Sequence, residues 1–526
     1  MRGVVLVSLA VIVVAGSFRL SAGLETVKVD GGQVAGVEVG GVRVFKGIPF
    51  AAPPVGDLRW KPPEPVVPWT GVRKADAFGP QCMQLPLPTG SPYASDPAPM
   101  SEDCLYLNVW TSAGANEKRP VMMWIYGGGW TIGAASAASD GVFIYDGAML
   151  ARKGVVVVTP NYRLGALGFL AYPELTAESP HHSSGNYAIL DHIAALQWVR
   201  KNISAFGGDP ANVAIFGESA GSASVNVTQA TPLARGMFHK AIGESAARFW
   251  PFTPTGPFTP TLGQAEQRGV ALARAVGADS LKALRSVPAE KLVAVRSFVP
   301  SITVDDWVLP ADVRTIFAQK KQSAVPVLVG SNADEWTLLA AAFDTAFPTT
   351  MEGFHQRVDA QFPGLAKEFD EVYPVKSTDD IAPALMHVGR DNGLTLQMRT
   401  WARMVTAAGR KAFLYQFTRI PQSPNANAWG AFHAAEIPYV FGNLRFPTVT
   451  YTETDRSLSA TMSSYWVNFA KTGDPNGKGL PRWAAYDPDS EPYLDLGDPV
   501  QLKHHLLKAQ LDFLERAQNA RLSTSR

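Results

Sequence analysis

Five short apolar runs rich in branched side chains recur along the chain, and no other feature constrains its fold as much. They lie at residues 121–126 (VMMWIY), 155–159 (VVVVT), 213–216 (VAIF), 325–329 (VPVLV) and 412–417 (AFLYQF). Runs of this length and composition are typical of strands buried on both faces of a parallel sheet. An amphipathic stretch at residues 186–206 separates the second run from the third. This alternation predicts the α/β class, with a large, mainly parallel central sheet flanked by helices.

Two regions depart from this pattern. The first hundred residues contain paired glycines and proline-rich stretches, which predict hairpins and loops and hence an antiparallel lead-in to the main sheet. Residues 251–310 are interrupted by prolines and then become helical, so we expect helical cap insertions that form a wall over the site. The sequence contains no internal repeat and no long low-complexity linker, and we therefore predict a single domain over residues 24–526.

Composition excludes several classes of protein. Of 526 residues, 46% are hydrophobic and only 18% are charged, which excludes a disordered chain. The 47 basic and 46 acidic side chains leave a net charge of +1, so no excess of charge indicates nucleic acid or an anionic membrane surface as a partner. We expect a small-molecule ligand.

The N-terminal residues indicate export. A positive charge at Arg2 is followed by an almost wholly apolar stretch at residues 3–16 and then by small residues up to Gly23. This order is typical of a secretory signal peptide, which we place at residues 1–23, and the apolar stretch is short for a membrane span. The alternative is an uncleaved N-terminal anchor. We expect a periplasmic or secreted protein without stable membrane insertion.

The chain has two cysteines, Cys82 and Cys104. An even pair in an exported chain predicts one disulfide, which contributes about 3 kcal/mol in the chain-entropy model. The alternative is two buried free thiols. No histidine or further cysteine lies near either one at metal-ligand spacing, so we predict no metal site.

Residues 217–221 (GESAG) carry the first chemical signal, because they follow the run at 213–216 and precede a small-residue segment able to begin a helix. In a G-x-S-x-G nucleophile elbow both glycines are required, since a side chain would clash as the turn tightens. The pattern is common enough to arise by chance, and its alternative is a structural Gly-Ser turn. Ser219 is therefore a candidate nucleophile because of its flanking elements.

A second signal is the glycine-rich segment at residues 126–130 (YGGGW), directly after the run at 121–126. Backbone N–H groups of such a loop can approach the oxyanion that develops in acyl transfer. In the elbow architecture this loop acts together with the N–H of the residue after the nucleophile. Gly128, Gly129 and Ala220 are therefore candidate oxyanion-hole donors, and a flexible glycine turn is the alternative.

Further motifs occur at residues 45–51 (FKGIPFA), 101–108 (SEDCLYLN), 161–165 (NYRLG) and 206–210 (FGGDP). Together with the two glycine motifs they resemble, in order, those of the type-B carboxylesterase and cholinesterase family, and in particular a bacterial-type carboxylesterase. The resemblance covers about residues 25–500. It implies the α/β-hydrolase fold and, without a cofactor, hydrolysis of small-molecule carboxylic esters through an acyl-enzyme intermediate.

The resemblance also implies a triad in the order serine, acid, histidine. It places the acid at Glu335, with Asp334 as the local alternative, and the histidine at His433. His433 would accept and return the proton of Ser219, while Glu335 would orient the imidazole. The family usually has glycine where this chain has Trp336, a difference that we expect to reshape the adjacent pocket.

Other residues have weaker assignments. Several aromatic side chains are candidates for substrate-binding walls, although any of them could instead belong to the core: Trp130, Phe249, Trp250, Trp336, Trp429 and Phe432.

Glu218 and Ser245 match a polar network that supports the triad in relatives, and ordinary structural hydrogen bonding is the alternative. We also expect an ion pair between Lys46 and Glu102, where relatives usually carry arginine in place of Lys46.

The resemblance leaves three other functions to consider. Cholinesterase activity is disfavoured because residues 91–94 (SPYA) lack the choline-binding tryptophan of relatives, for which Tyr93 would be a partial substitute. Hydrolysis of amides, carbamates or thioesters uses the same machinery, and the sequence does not separate it from ester hydrolysis. A non-catalytic adhesion member of the fold would lack part of the triad, whereas all three members are present here.

Overall fold

The computed structural model describes residues 26–524 except 88–90, 92, 115–116, 250–251, 254–255, 258, 343–344 and 447–448. The predicted signal peptide at residues 1–23 lies outside the described residues. The centre of the fold is an eleven-stranded mixed sheet. Its strands are β1 (Val37–Val39), β2 (Val42–Pro49), β3 (Tyr106–Thr111), β4 (Arg119–Ile125), β5 (Val156–Pro160), β6 (Gly208–Glu218), β7 (Lys240–Glu244), β8 (Val327–Asn332), β9 (Ala412–Phe417), β10 (Pro492–Leu496) and β11 (Gln501–His504).

The strands lie side by side in the order β11-β10-β9-β8-β7-β6-β4-β5-β3-β2-β1. From β10 through β5 every neighbouring pair is parallel. At one edge β5, β3, β2 and β1 pair antiparallel, and at the other β10 and β11 do so. The predicted α/β sheet with an antiparallel N-terminal lead-in is therefore confirmed, and the five apolar runs form β4, β5, β6, β8 and β9.

Smaller strands pair outside the main sheet. They are Thr26–Val29, Gly32–Ala35, Val72–Lys74, Gln81–Cys82, Met100–Ser101, Ala138–Ser139, Val142–Phe143, Phe252–Thr253 and Gly256–Pro257.

Helices cover the faces of the sheet. The described residues include eight α-helices of at least ten residues, namely α1 (Tyr187–Asn202), α2 (Ala220–Ala230), α3 (Leu262–Ala275), α4 (Met351–Gln361), α5 (Ile381–Arg390), α6 (Leu396–Ala407), α7 (Glu453–Thr472) and α8 (Lys508–Thr524). Shorter α-helices span Ala148–Arg152, Gly165–Phe169, Pro173–Glu178, Leu281–Arg285, Ala289–Val293, Val313–Ala318, Trp336–Ala342, Ala366–Val372, Ala426–Trp429 and Ile437–Phe441. A π-helical turn at Asp391–Thr395 joins α5 to α6. No helix of the described chain combines the length and apolarity that a membrane crossing requires.

The burial of α1 and α2 follows from their place beside the central strands. All of α2 is buried, and its small residues let it lie close to β6. The stretch predicted at residues 186–206 forms α1 and a 3-10 turn at Ile203–Phe206, with only a narrow polar face reaching solvent.

Two hydrophobic cores stabilise the fold. The larger one surrounds the central sheet. A smaller one joins the arm formed by α4, α5 and Ala366–Val372 to the C-terminal helix α8, through contacts that include Phe354, Phe369 and Phe513. The predicted helical insertion at residues 251–310 contains α3 and two short helices, Leu281–Arg285 and Ala289–Val293.

The predicted disulfide between Cys82 and Cys104 is confirmed, with an S–S distance of 2.05 Å. Beside it, Glu102 binds Arg59, whose Nε lies 2.7 Å from Glu102 Oε2. The predicted Lys46–Glu102 ion pair is therefore wrong. A guanidinium binds both carboxylate oxygens at once, whereas Lys46 Nζ lies over the ring of Phe78, 4.4 Å from its centroid.

Candidate active site

Ser219 occupies a tight turn between β6 and α2, with φ 55° and ψ −124°. Side chains rarely adopt this backbone conformation, and it persists only where the surrounding structure enforces it. The backbone N–H of Ser219 donates to the carbonyl of Glu244 at 2.8 Å. Ser219 is partly exposed while Glu218 and Ala220 on either side are buried. The turn therefore presents the hydroxyl at the carboxyl end of the sheet.

The two glycines of the motif allow this turn to lie against β4. A Cβ at Gly221 would stand 1.9 Å from the carbonyl oxygen of Ile125, and one at Gly217 would stand 2.6 Å from the same atom. Both distances are shorter than any real contact. The strand, turn and helix that the GESAG motif predicts are all present because these two positions carry no side chain.

The glycine-rich loop after β4 passes next to the serine. A Cβ at Gly127 would stand 2.9 Å from the Cβ of Ser219. Gly128 and Gly129 have φ values of 95° and 62°, which favour glycine. Ile132 N–H donates to the Gly128 carbonyl at 3.1 Å and closes the loop. Within the described residues, neither the Gly128 N–H nor the Gly129 N–H donates to another group, so both are available to a bound oxyanion.

Glu335 and His433 meet across the ends of β8 and β9. His433 Nδ1 lies 2.6 Å from Glu335 Oε2, and the other carboxylate oxygen accepts the N–H of Asn332 at 2.7 Å. Both side chains are buried. Asp334, the alternative acid, instead accepts the N–H of Ala431 at 2.8 Å. The structure thus brings Glu335 to the imidazole and uses Asp334 to anchor the loop that carries His433.

The second imidazole nitrogen faces the nucleophile motif. His433 Nε2 lies 3.1 Å from Glu218 Oε1, the side chain that immediately precedes Ser219. No hydrogen bond joins the Ser219 hydroxyl to His433 among the described residues. In unliganded sites such bonds are often long and tighten only in the reactive complex. The imidazole therefore lies beside the residue that precedes Ser219 in the chain.

Several buried carboxyl groups lie near one another in the site. Burial raises the pKa of Glu218, Glu244 and Glu436, and the charge of at least one neighbouring carboxylate adds to the rise in each case. For Glu218 the charge of His433 acts in the opposite direction. For His433 burial acts in the opposite direction, but the charges of Glu218 and Glu335 raise its pKa above the ordinary 6.5. Within this buried cluster a proton can therefore reside on a carboxyl group or on the imidazole of His433.

Sequence reasoning missed two of these carboxyl groups. Glu436 accepts a hydrogen bond from Asn332 Nδ2 at 2.5 Å, and Glu244 accepts one from Trp466 Nε1 at 2.8 Å. Glu436 lies three residues after His433 in the sequence, whereas Glu244 lies in a strand that has no strong apolar pattern. Ser245, expected in this network, has φ 61°, and its hydroxyl has no hydrogen-bond partner among the described residues.

The aromatic side chains predicted to line the substrate pocket lie in different parts of the structure. Trp130 is buried and donates to Ser224 Oγ at 2.9 Å. Phe249 is only 1% exposed and packs edge-on against Phe317 in the core. Trp250 lies outside the described residues.

The other three lie near the acid and histidine loops. The ring of Trp336 rests against Gly389, where a Cβ would stand 2.6 Å from it. Trp429 and Phe432 form an edge-on pair with ring centroids 5.6 Å apart. Contact of any of these rings with a substrate stays a prediction.

Replacing Gly221 tests the constraint on the elbow. We predict that Gly221→Ala lowers the free energy of unfolding by at least about 3 kcal/mol, because its Cβ overlaps the Ile125 carbonyl. The matched control is Gly263→Ala, at the same position of α3, where no atom lies within 4 Å of the added Cβ. Alanine there should be neutral or stabilise by up to about 1 kcal/mol. Urea unfolding measures both, and equal midpoints would contradict the proposed clash.

Comparison with known proteins gives the family. A sequence model described as "Carboxylesterase family" matches residues 24–514. The fumonisin B1 esterase of Sphingopyxis macrogoltabida is 39% identical over 483 residues, which cover 87% of this chain and 83% of that protein. The para-nitrobenzyl esterase of Bacillus subtilis (strain 168) is 35% identical over 90% of this chain and 95% of its own. A precursor of a medium-chain fatty acyl-CoA hydrolase from Anas platyrhynchos is 35% identical over 90% and 87%.

Solved structures agree. A PNB esterase superposes with a TM-score of 0.79 at 33% identity and covers 94% of this chain and 100% of that one. The carboxylesterase EST55 of Geobacillus stearothermophilus gives a TM-score of 0.79 at 31% identity over 93% and 99%. The chain therefore belongs to the carboxylesterase family, and it is a carboxylic ester hydrolase of the α/β-hydrolase fold.

Proposed function

We propose that this protein hydrolyses small-molecule esters with a Ser219–His433–Glu335 triad and an acyl-enzyme intermediate. One observation supports the assignment above all others, namely the buried 2.6 Å contact between His433 Nδ1 and Glu335 Oε2 beside the serine elbow. A carboxylate at Nδ1 fixes the tautomer whose Nε2 accepts a proton. The remaining nitrogen then faces the residues around Ser219.

Acylation proceeds as Ser219 Oγ attacks the carbonyl carbon of the ester while His433 Nε2 takes the hydroxyl proton. For this, Nε2 exchanges its contact with Glu218 for one with Ser219, the next residue along the chain. The carbonyl oxygen becomes an oxyanion and accepts hydrogen bonds from the N–H groups of Gly128, Gly129 and Ala220. The imidazolium then returns its proton to the departing alcohol, which leaves an ester on Ser219.

Deacylation repeats the same transfers with water. His433 takes a proton from the water as it attacks the acyl carbon, and then gives the proton back to Ser219 Oγ as the acid product leaves. Glu335 remains ionised throughout and stabilises the imidazolium. Glu218 and Ser245 belong to the polar surroundings of the triad. No cofactor takes part in this scheme.

Thioester hydrolysis is a second candidate. Its support is the relative from Anas platyrhynchos, whose name describes hydrolysis of a fatty acyl-CoA, a thioester. The two other named relatives are described as esterases, so we place oxygen esters first. Amides and carbamates are alternative acyl donors for the same groups. A panel of matched acetyl and butyryl oxygen esters, thioesters and anilides separates these classes by kcat/KM.

We further propose that the protein is exported. The charged, apolar and small-residue segments at residues 1–23 support this, as does the Cys82–Cys104 disulfide, because disulfides persist in oxidising compartments. Fractionation of cells that express the full chain, followed by N-terminal sequencing of the mature protein, tests the proposal. Retention of residues 1–23 in the cytoplasm would contradict it.

Removal of the proposed nucleophile is the direct test. We predict that Ser219→Ala lowers kcat for p-nitrophenyl acetate by at least about 10⁴-fold, since the triad acts as a unit. Ser204→Ala, at an exposed serine in the turn after α1, is the control and should retain wild-type turnover. Stoichiometric labelling of the wild type, but not of Ser219→Ala, by a fluorophosphonate identifies the reacting oxygen. Equal turnover in both variants would remove Ser219 from the mechanism.

The two adjacent acids give a matched comparison. Glu335→Gln should lower kcat roughly 10³- to 10⁴-fold, because an amide at Nδ1 neither fixes the tautomer nor stabilises the imidazolium. Asp334→Asn keeps a hydrogen-bond acceptor near the Ala431 N–H, and we expect less than about a tenfold loss. Steady-state kinetics on the folded variants measures both. The reverse order of effects would make Asp334 the acid.

Glu218 should set the pH dependence. The proposed base acts only when its imidazole is neutral, so activity falls as pH drops through the pKa of His433. Glu218 raises that pKa by its charge. Glu218→Gln removes this charge, and the acidic limb of the kcat/KM profile should move to lower pH by about one pH unit. A limb that stays in place or moves upward would show that Glu218 does not act on the imidazole.

A further inference from the structure

The disulfide closes a loop whose midpoint reaches the candidate active site. We call residues 83–103, between Cys82 and Cys104, the disulfide loop. Tyr93 lies halfway along it in sequence. Its hydroxyl lies 3.3 Å from the backbone carbonyl oxygen of His433, and its ring stands edge-on to the imidazole with centroids 6.4 Å apart. A residue remote in sequence thus touches the backbone of the proposed base.

The surroundings of Tyr93 keep its phenol in the donor form. Burial raises its pKa, and the charges of Glu218, Glu335 and Glu436 raise it further. A neutral phenol donates its O–H, and a carbonyl can only accept. The hydrogen bond therefore runs from Tyr93 to His433. Among the described residues, Tyr93 is the single donor to that carbonyl.

Two described residues of the disulfide loop, one on each side of Tyr93, are hydrogen-bonded to the segment that follows the glycine-rich loop. Gln84 binds both sides of Gly133, whose N–H donates to Oε1 at 2.8 Å and whose carbonyl accepts from Nε2 at 2.9 Å. Gly133 directly follows the turn that Ile132 closes onto Gly128. Farther along, the carboxylate of Asp96 accepts the N–H of Gly141 at 2.8 Å. The disulfide loop is therefore hydrogen-bonded beside the glycine-rich loop as well as to His433.

His433 needs such a support because its own segment is irregular. It lies between two short helices, and the next residue, Ala434, has φ 72°. Asp334 holds the backbone two residues before His433, and Asn332 Nδ2 donates to the Phe432 carbonyl at 2.8 Å. The Tyr93 bond adds an anchor at the carbonyl of His433 itself. Without it, that carbonyl has no hydrogen-bond donor among the described residues.

We infer that Tyr93 is a positioning residue for His433, delivered by the disulfide loop to hold the imidazole between Glu335 and Ser219. The inference rests on the proposed triad and adds to it a tie between the disulfide loop and the base. Tyr93 acts through the His433 backbone and touches no reacting atom. Its removal should therefore slow proton transfer and leave substrate binding unchanged.

Tyr93→Phe tests this, because it removes the hydroxyl and keeps the ring. We expect kcat for p-nitrophenyl acetate to fall about fivefold with KM within twofold, since acylation and deacylation both require His433. The matched control is Tyr106→Phe, just after the loop, whose hydroxyl binds Asp103 Oδ2 at 3.1 Å. It should keep wild-type kcat. Titration with a fluorophosphonate fixes the concentration of competent sites in each variant.

Three kinetic outcomes would overturn the inference. An unchanged kcat in Tyr93→Phe would show that the bond does not matter. A raised KM at constant kcat would make Tyr93 a substrate contact. Equal losses in both variants would mean that any damage to the loop suffices.

A measurement without turnover separates this inference from the proposed function. With ¹⁵N-labelled histidine, the His433 imidazole resonances are assigned by their loss in His433→Gln. We expect exchange broadening of these resonances in Tyr93→Phe and none in Tyr106→Phe. Unchanged resonances in Tyr93→Phe would overturn the positioning role. Broadening in a protein whose Ser219→Ala variant remains active would support the positioning role while the proposed nucleophile fails.

Discussion

The contact between the serine elbow and the carbonyl of Ile125 is the constraint from which the rest of the site follows. Gly217 and Gly221 both lie against that one oxygen, so β6 and α2 can approach β4 only where neither position has a side chain. This approach brings the end of β4 beside Ser219. The loop that continues from β4 is therefore already next to the nucleophile, and its free N–H groups need no further element to place them.

A second constraint is electrostatic. Glu218, Glu244, Glu335 and Glu436 are all buried and act electrostatically on one another, and full ionisation of all four would bring several negative charges together in the interior. The raised pKa values of Glu244 and Glu436 favour protonation of these two carboxyl groups, and a retained proton removes a charge from the cluster. Glu335 holds the 2.6 Å contact to His433 Nδ1. Buried carboxyl groups of this kind are found where a site tunes proton affinity.

Much of the fold and of the candidate site could be predicted from the sequence, because each sequence pattern that indicates them lies within one short segment. The apolar runs of the central strands, the GESAG turn and the triple glycine each reflect what one short segment requires. Strand β7 (KAIGE) was missed because Lys240 and Glu244 interrupt its apolar pattern, although both are buried. The predicted partner of Glu102 is Lys46, whereas in the structure it is Arg59. Pairing between residues far apart in the chain leaves no trace in a single sequence. Phe249 shows the same limit, since its position in the sequence does not say that its ring packs edge-on against Phe317 in the core.

The strands that carry the proposed triad appear in the chain in a fixed order: β6 leads to Ser219, β8 to Glu335, and β9 to His433. A chain synthesised only as far as β8 holds the serine and the glycine loop but has no base. The loop that carries Glu335 rests on α5, where Trp336 packs on Gly389, and the small core of that arm includes the C-terminal helix α8. Under the proposed mechanism, a chain that ends before β9 therefore has no proton acceptor for Ser219. A chain that ends before α8 lacks part of the core of the arm that supports the acid loop.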